Sequence, residues 1–283
     1  MRQRTLINIA LLVVVAGLAA FIALAPERKP RLELEALGNE DPRAVSRVRL
    51  ELETGETIEL QRADGDWHLV EPIRIAANDF RVNALLGVLR APVHARIDVA
   101  PEQYRRFGLA PAKARVLLDE TEIQFGDTEP IHGRRYLLYD GAVALVDDAY
   151  FSHLSSSAAN YVNLALLGRD PSPQNILLPE LRVYRDTEVW RADPQNTQAS
   201  IDNITKLVDA WRHAQATAVR PYERSLDWNE TIRVQLDDGE LRFDLARTEY
   251  ELIMGRKELG IQYHLTKGTG ARLVGFTPPD SSK

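Results

Sequence analysis

The sequence predicts an α+β protein, in which an N-terminal transmembrane helix is followed by two tandem, similar β-rich α+β repeats with mostly antiparallel sheets. Three observations carry that expectation. An uncharged apolar run fills the amino end, period-two alternation broken by Gly turns fills much of the rest, and the same elements recur in the same order in the second half.

The apolar run extends from Leu6 to Ala25 without a charged residue. About 20 such residues match the hydrocarbon thickness of a bilayer, whereas a secretory h-region is shorter, about 7–15 residues. The run is apolar all round and lacks the polar stripe of a soluble helix. A cleaved signal peptide is the rival reading, because Ala23-Leu24-Ala25 has the small-x-small form. Pro26 would then occupy the first mature position and obstruct cleavage, so retention is expected. The membrane is thus a partner through residues 6–25. Arg2 and Arg4 on one side face Arg28, Lys29 and Arg31 on the other, so charge counting leaves orientation open. A basic tail before an apolar run is the export pattern, which makes 1–5 a cytoplasmic tail and places the bulk of the chain on the periplasmic side of a bacterial inner membrane.

A polar, Pro-containing linker (26–46) leads to the first repeat (47–150). Val48, Leu50 and Leu52 alternate with charged residues, Thr54-Gly55 and Asp64-Gly65 mark hairpins, and Trp67 to Val70 reads as a third strand. The period then changes: Val82, Leu85, Leu86 and Leu89 follow a helical face behind Asn78 and Asp79, either of which suits a cap, with Pro92 beyond the end. A short helix is expected over Pro101 to Phe107, with Gly108 at its C-terminal cap. Strands are expected at Val116–Leu118, Ile123–Phe125, Tyr136–Leu138 and Val143–Val146.

A connector (151–175) joins this repeat to a second (176–277), which ends in a flexible tail (278–283). Ile58 to Arg62 with Trp67 matches Leu181 to Arg185 with Trp190, and the helix face matches Ile204, Leu207, Val208 and Trp211 behind Asp202 and Asn203. Asp119-x-x-Glu122-Ile123-x-Phe125 matches Asp237-x-x-Glu240-Leu241-x-Phe243, and Tyr104 pairs with Tyr222. Tyr136, Leu138, Leu145 and Val146 are matched to Tyr263, Leu265, Leu273 and Val274, which requires a longer loop near 247–260 in the second copy.

Several of these pieces together resemble a bacterial family, domain of unknown function 4340. They are the amino-terminal anchor, the hairpin ending in Gly-Asp-Trp67, Ala-Asn78-Asp79, Tyr104-Arg-Arg-Phe107-Gly108-Leu109, Phe125-Gly126 and Arg135-Tyr136. Leu-Leu-Gly168-Arg-Asp and Ile176-Leu-Leu-Pro-Glu-Leu complete the set. The resemblance spans nearly the whole chain, and its order carries more than any single piece. It implies a membrane-anchored extracytoplasmic protein without attached enzymatic activity, of a kind often encoded beside ABC-type transport systems related to gliding-motility export. The second copy departs from the pattern where Ser225-Leu226-Asp227 replaces Phe107-Gly108-Leu109.

Composition narrows the chemistry. The 283 residues are 45% hydrophobic and 27% charged, as in a folded chain with room for two domains. A net charge of -6 argues against a general nucleic-acid partner, and the absence of cysteine removes disulfides, thiolate metal sites and cysteine nucleophiles. The six histidines form no zinc helix motif and read as surface or structural. Asp147-Asp148 and Asp237-Asp238 suit turns, Lys267-Gly-Thr-Gly270 reads as a hairpin turn, and Ser155–157 lack a nucleophile elbow and read as flexible connector. No catalytic residue, cofactor or metal is assigned.

The candidate partner or ligand surface comprises Trp67, Tyr104, Phe107, Arg134, Arg135, Trp190 and Tyr222. The ordinary roles of these residues are core anchors for the aromatics and a solvated strand-edge pair for the arginines. The expected function is a non-catalytic, membrane-anchored periplasmic accessory or interaction protein with a membrane-protein partner such as a transport complex. The alternatives are a small-ligand or lipid-binding module using the groove between the repeats and, less favoured, an envelope hydrolase.

Overall fold

The computed structural model describes residues 11–17, 34–154, 157–195 and 199–276. Residues 11–17 are helical; the rest of the expected span 6–25, the tail 1–5 and the tail 278–283 lie outside the described residues. Among the described residues no helix is long and apolar enough to cross a membrane.

From Ala36 onward the chain forms a unit of two antiparallel sheets with few helices. The first contains β1 (Arg47–Leu52), β2 (Thr57–Ala63), β3 (Asp66–Glu71), β4 (Ile75–Ala76), β5 (Ala95–Ile97), β6 (Ala114–Leu118), β7 (Thr121–Thr128), β8 (Arg134–Tyr139) and β9 (Ala142–Asp147). The second contains β10 (Pro173–Leu177), β11 (Arg182–Asp186), β12 (Val189–Asp193), β13 (Ala218–Pro221), β14 (Glu230–Leu236), β15 (Gly239–Arg247), β16 (Glu251–Arg256) and β17 (Ile261–Thr266).

The spatial orders are β4-β3-β2-β1-β6-β7-β8-β9-β5 and β12-β11-β10-β14-β15-β16-β17-β13. With the edge strand β4 set aside, the two orders are identical, so the architecture is repeat-like. The hairpin match is seen directly, because Arg62 pairs with Trp67 across its turn as Arg185 pairs with Trp190. Asp64 and Gly65 both take positive φ, the geometry a two-residue hairpin turn requires.

Sheet order corrects the last part of the internal alignment. β8 corresponds to β16 and β9 to β17, so Tyr136 and Leu138 do not correspond to Tyr263 and Leu265. Leu273 and Val274, matched to Leu145 and Val146, are not in a strand at all. Alternation looks the same in every hairpin, and the sequence reading therefore slipped by one strand, treating β16 as loop. Lys267-Gly-Thr-Gly270 is likewise no hairpin turn: Lys267–Leu273 is a helix, capped by the Thr266 side chain, which accepts from the Thr269 N–H. The Leu273 carbonyl accepts a 2.9 Å bond from the buried Trp211 indole, so the helix satisfies a donor that the core would otherwise strand.

In each half a helix between the third strand and the far edge lies on the inner face. Asn78 caps Asp79–Leu86 by accepting from the Arg81 N–H, and Val82, Leu85 and Leu86 are buried. Ser200, not Asp202 or Asn203, caps Ile201–Arg212, whose buried Trp211 lies 6.0 Å from Phe243 of β15. The expected short helix over Pro101–Phe107 is present as a 3-10 helix closed by Gly108 at φ 65°.

The linker and connector are more structured than their composition suggests. Leu37 and Val45 are buried, and the Leu37 and Gly38 N–H groups bond to Ala91 and Leu89. Ala158–Tyr161 of the connector is a 3-10 helix started by Ser157. Asn78 donates to the Tyr161 carbonyl and Asn163 to Ala76, while Leu166 donates to Ala214 and Ala216 to Leu164. The connector thus hydrogen-bonds to both halves, and one apolar core runs through all three.

Tyr161 is only 1% exposed. Tyr161→Ala is therefore expected to lower stability by about 3–5 kcal/mol, the usual cost of emptying a large buried aromatic site. Urea unfolding followed by tryptophan fluorescence and far-UV circular dichroism should show a single shifted transition; two separable transitions, or no shift, contradict the shared core.

Candidate functional site

Antiparallel neighbours point the same way, which sorts the side chains of the central strands into two faces. Phe125 pairs with Leu137, and both are buried on the inner face; Gln124 pairs with Leu138 on the outer face. In the second sheet Phe243 is inner, and the adjacent pair Asp244 and Gly255 is outer. Matching faces as well as order makes Gly255 the counterpart of Tyr136 and Arg242 of Gln124, while Lys257 opens the 3-10 turn that follows β16.

In each half the connection into the central strand (β5 to β6, β13 to β14) passes over that outer face. In the first half, Phe107 packs edge-on to Tyr136 at 4.9 Å. A Cβ on Gly126 would stand 2.2 Å from the Phe107 carbonyl, so only glycine admits the crossing there. Tyr104 donates to the Gly141 carbonyl and ties the same crossing to the β8–β9 turn.

In the second half the crossing is built differently. Tyr222 and Trp228 stack at 4.7 Å with a 15° interplanar angle. A Cβ on Gly255 would stand 2.5 Å from the Tyr222 ring and 2.9 Å from the Trp228 ring, so the missing side chain is where the pair sits. The Trp228 indole donates to the Glu223 carbonyl at 3.0 Å, and Tyr222 donates to Asp244 at 3.3 Å. Burial, and then the adjacent Asp244 carboxylate, raise the Tyr222 phenol above its ordinary pKa. A cleft of about 530 Å³ opens beside the pair, lined by Tyr222, Arg224, Trp228, Thr231, Arg242, Asp244 and Lys257.

The first half has a cleft of about 500 Å³ over the corresponding strands, with the opposite charge. Glu40, Glu120, Glu122 and Asp140 line it together with Gln124 and Tyr139, and it contains no cation. Tyr139 donates to Glu40 at 2.8 Å. Burial, and then that carboxylate, raise the Tyr139 phenol to about 12, while backbone and Tyr139 hydrogen bonds hold Glu40 below its ordinary value.

The seven residues singled out from sequence do not converge on one site. Trp67 is 2% exposed, with Arg62 above its ring, and Trp190 is half-buried against the core, so both anchor hairpins. Among the described residues the Trp67 indole N–H has no hydrogen-bond partner. Tyr104 and Phe107 hold the first crossing, and Tyr222 alone belongs to a cleft. Arg134 is half-exposed on β8. Arg135 is not a solvated partner for Arg134: at 8% exposure it bonds to Asp148, the Gly126 carbonyl and Thr128, and lies 3.8 Å over the Phe151 ring.

The sequence reading missed Arg224, Trp228, Arg242, Asp244 and Lys257. An isolated glycine within a strand, Gly255, was the available signal, since it marks the close approach of another segment. The buried His264 has both ring nitrogens engaged, by Glu251 at 2.8 Å and Gln262 at 3.0 Å, which gives it a structural role. Among the described residues no three metal-binding side chains converge.

The family model described as "Domain of unknown function (DUF4340)" matches residues 67–241, well over half the chain and parts of both sheets. No curated protein and no solved structure matches the chain.

Gly126→Ala should cost more stability than Gly255→Ala, because the former meets a backbone carbonyl and the latter meets rings that can swing away. Gly255→Ala should instead alter the near-UV circular dichroism of the Tyr222–Trp228 stack; equal stability losses with an unchanged spectrum contradict the two crossings. Alkaline spectrophotometric titration should find Tyr139 ionising near about 12, and Glu40→Gln should lower it. The fold favours the neutral phenol, so this contribution is complete below the ordinary value of 10 and disappears as pH rises through about 12.

Proposed function

This chain belongs to the DUF4340 family, and from that premise we propose that it is a non-catalytic, membrane-anchored extracytoplasmic accessory protein acting through its outer sheet faces. The observation that carries the reading is the divergence of those faces: one strand order supports a carboxylate-lined cleft in one half and, in the other, an aromatic-walled cleft in which cations outnumber carboxylates. Recognition of different groups gives that divergence a use. The apolar run 6–25 supports a membrane location, and the family resemblance supports a membrane transport complex as partner.

The clefts also suit recognition better than group transfer. In the first half the perturbed carboxyl Glu40 is held by Tyr139 and backbone donors, with its pKa lowered, so it is poised as an acceptor. In the second half the aromatic pair and cations surround the single carboxylate Asp244.

Photocrosslinking from the exposed positions Glu122 and Arg242 in native membranes should capture a membrane protein, and carbonate washing should leave the chain in the pellet. Capture of lipid alone removes the protein-partner reading, and release into the supernatant removes the anchor.

A further inference from the structure

The two halves provide an internal comparison, because the same sheet positions are closed in one and open in the other. In the first half, Tyr136 on β8 fills the outer face beneath Phe107, with Gln124 and Leu138 beside it. In the second, Gly255 and Arg242 take the positions of Tyr136 and Gln124, Lys257 opens the turn just beyond β16, and the aromatic rings come from the crossing instead. The first half shows that the fold does not require the cations. With Arg224 on the crossing, they are thus free to serve a ligand without cost to the fold.

The internal partners leave much of this positive charge unused. Arg242 reaches Asp244 at 3.4 Å, a long contact, and Asp244 also accepts from Tyr222. Among the described residues the Arg224 and Lys257 side chains have no ion-pair or hydrogen-bond partner. Asp244 and the Thr231 hydroxyl lie in the same cleft as these cations and are suited to bind hydroxyl groups. Tyr222 and Trp228 form one wall, a surface on which the C–H face of a sugar or polyol packs well. The cleft volume is in the range of small-molecule sites.

We infer that this cleft binds a phosphate ester of a polyol or sugar. Arg224, Arg242 and Lys257 take the phosphate, Asp244 and Thr231 take hydroxyl groups, and the Trp228–Tyr222 wall takes the carbon skeleton. Both a soluble phosphosugar and a phosphoglycerol lipid headgroup present this chemistry. The inference adds a ligand to the accessory role proposed above and does not require the protein partner.

The test uses the full chain in neutral detergent. Binding of sn-glycerol 3-phosphate and glucose 6-phosphate, and of short-chain phosphatidylglycerol with short-chain phosphatidylcholine as control, is measured by calorimetry. Saturable binding of either soluble ester supports a free ligand; binding confined to phosphatidylglycerol supports a headgroup. In both cases Arg242→Gln combined with Lys257→Leu should weaken affinity at least about tenfold at fixed salt and leave the unfolding midpoint unchanged. Glycerol without phosphate should not bind. Absence of binding to every phosphate ester, soluble or lipid, or binding undiminished in the double variant or in Arg224→Ala, overturns the inference. A protein partner still captured by crosslinking in that case would leave the accessory role intact.

Discussion

The strand order imposes one constraint on which the rest depends: in each half the chain must cross the sheet twice, once over each face. From the β4 or β12 edge it returns to the opposite edge, β5 or β13, by way of a helix on the inner face. From that edge it must then reach the central strand β6 or β14, and this second crossing covers the outer face. An antiparallel sheet tolerates water on one side, so the outer crossing need not be a second core. It does need a place where backbone or rings can approach the strands closely, and Gly126 and Gly255 supply it. The two glycines lie at different sheet positions, so the two crossings settle differently and the faces beside them differ.

That account explains what the sequence revealed and what it concealed. Local features were legible because their causes are local: Asn78 as a cap, Asp64-Gly65 as a turn, and Pro101 to Gly108 as a short helix all rest on nearby backbone geometry. The duplication was legible through a tryptophan, a helix face and an acidic-aromatic run. Alternation alone was a poor ruler, because an antiparallel meander repeats it at every hairpin. Met254 and Gly255 were consequently read as loop, although they form β16 beside Tyr263 and Gln262. Arg135 was misjudged for a related reason: Asp148 and Phe151 lie beyond the next strand, and only the folded hairpin brings them to it.

The candidate cleft was hidden in the same way. Trp228 directly follows the segment that departs from the family pattern, and its importance depends on an absent side chain on a strand 27 residues later. Net charge also misleads at this scale. A total of -6 describes the whole molecule, yet screening at physiological salt limits exposed charges to about 8 Å, so each cleft acts through its own lining. The second half can therefore present unpaired cations on a chain that is acidic overall.

The repeat-like architecture also separates the packed inner faces from the open outer ones. Both halves and the connector share one apolar core, so the inner faces are bound by packing, and a change of volume there is felt throughout. The outer faces carry no such obligation once each crossing is seated. Replacing a strand tyrosine by glycine would ordinarily leave a hole, but here the crossing supplies Tyr222 and Trp228 to the same region and the loss is offset locally. The neighbouring strand position and the turn beyond β16 are then free to take arginine and lysine, whose desolvation cost is small at an open face. A second copy of the sheet thus leaves an outer face that can take a ligand without opening the core that holds the molecule together.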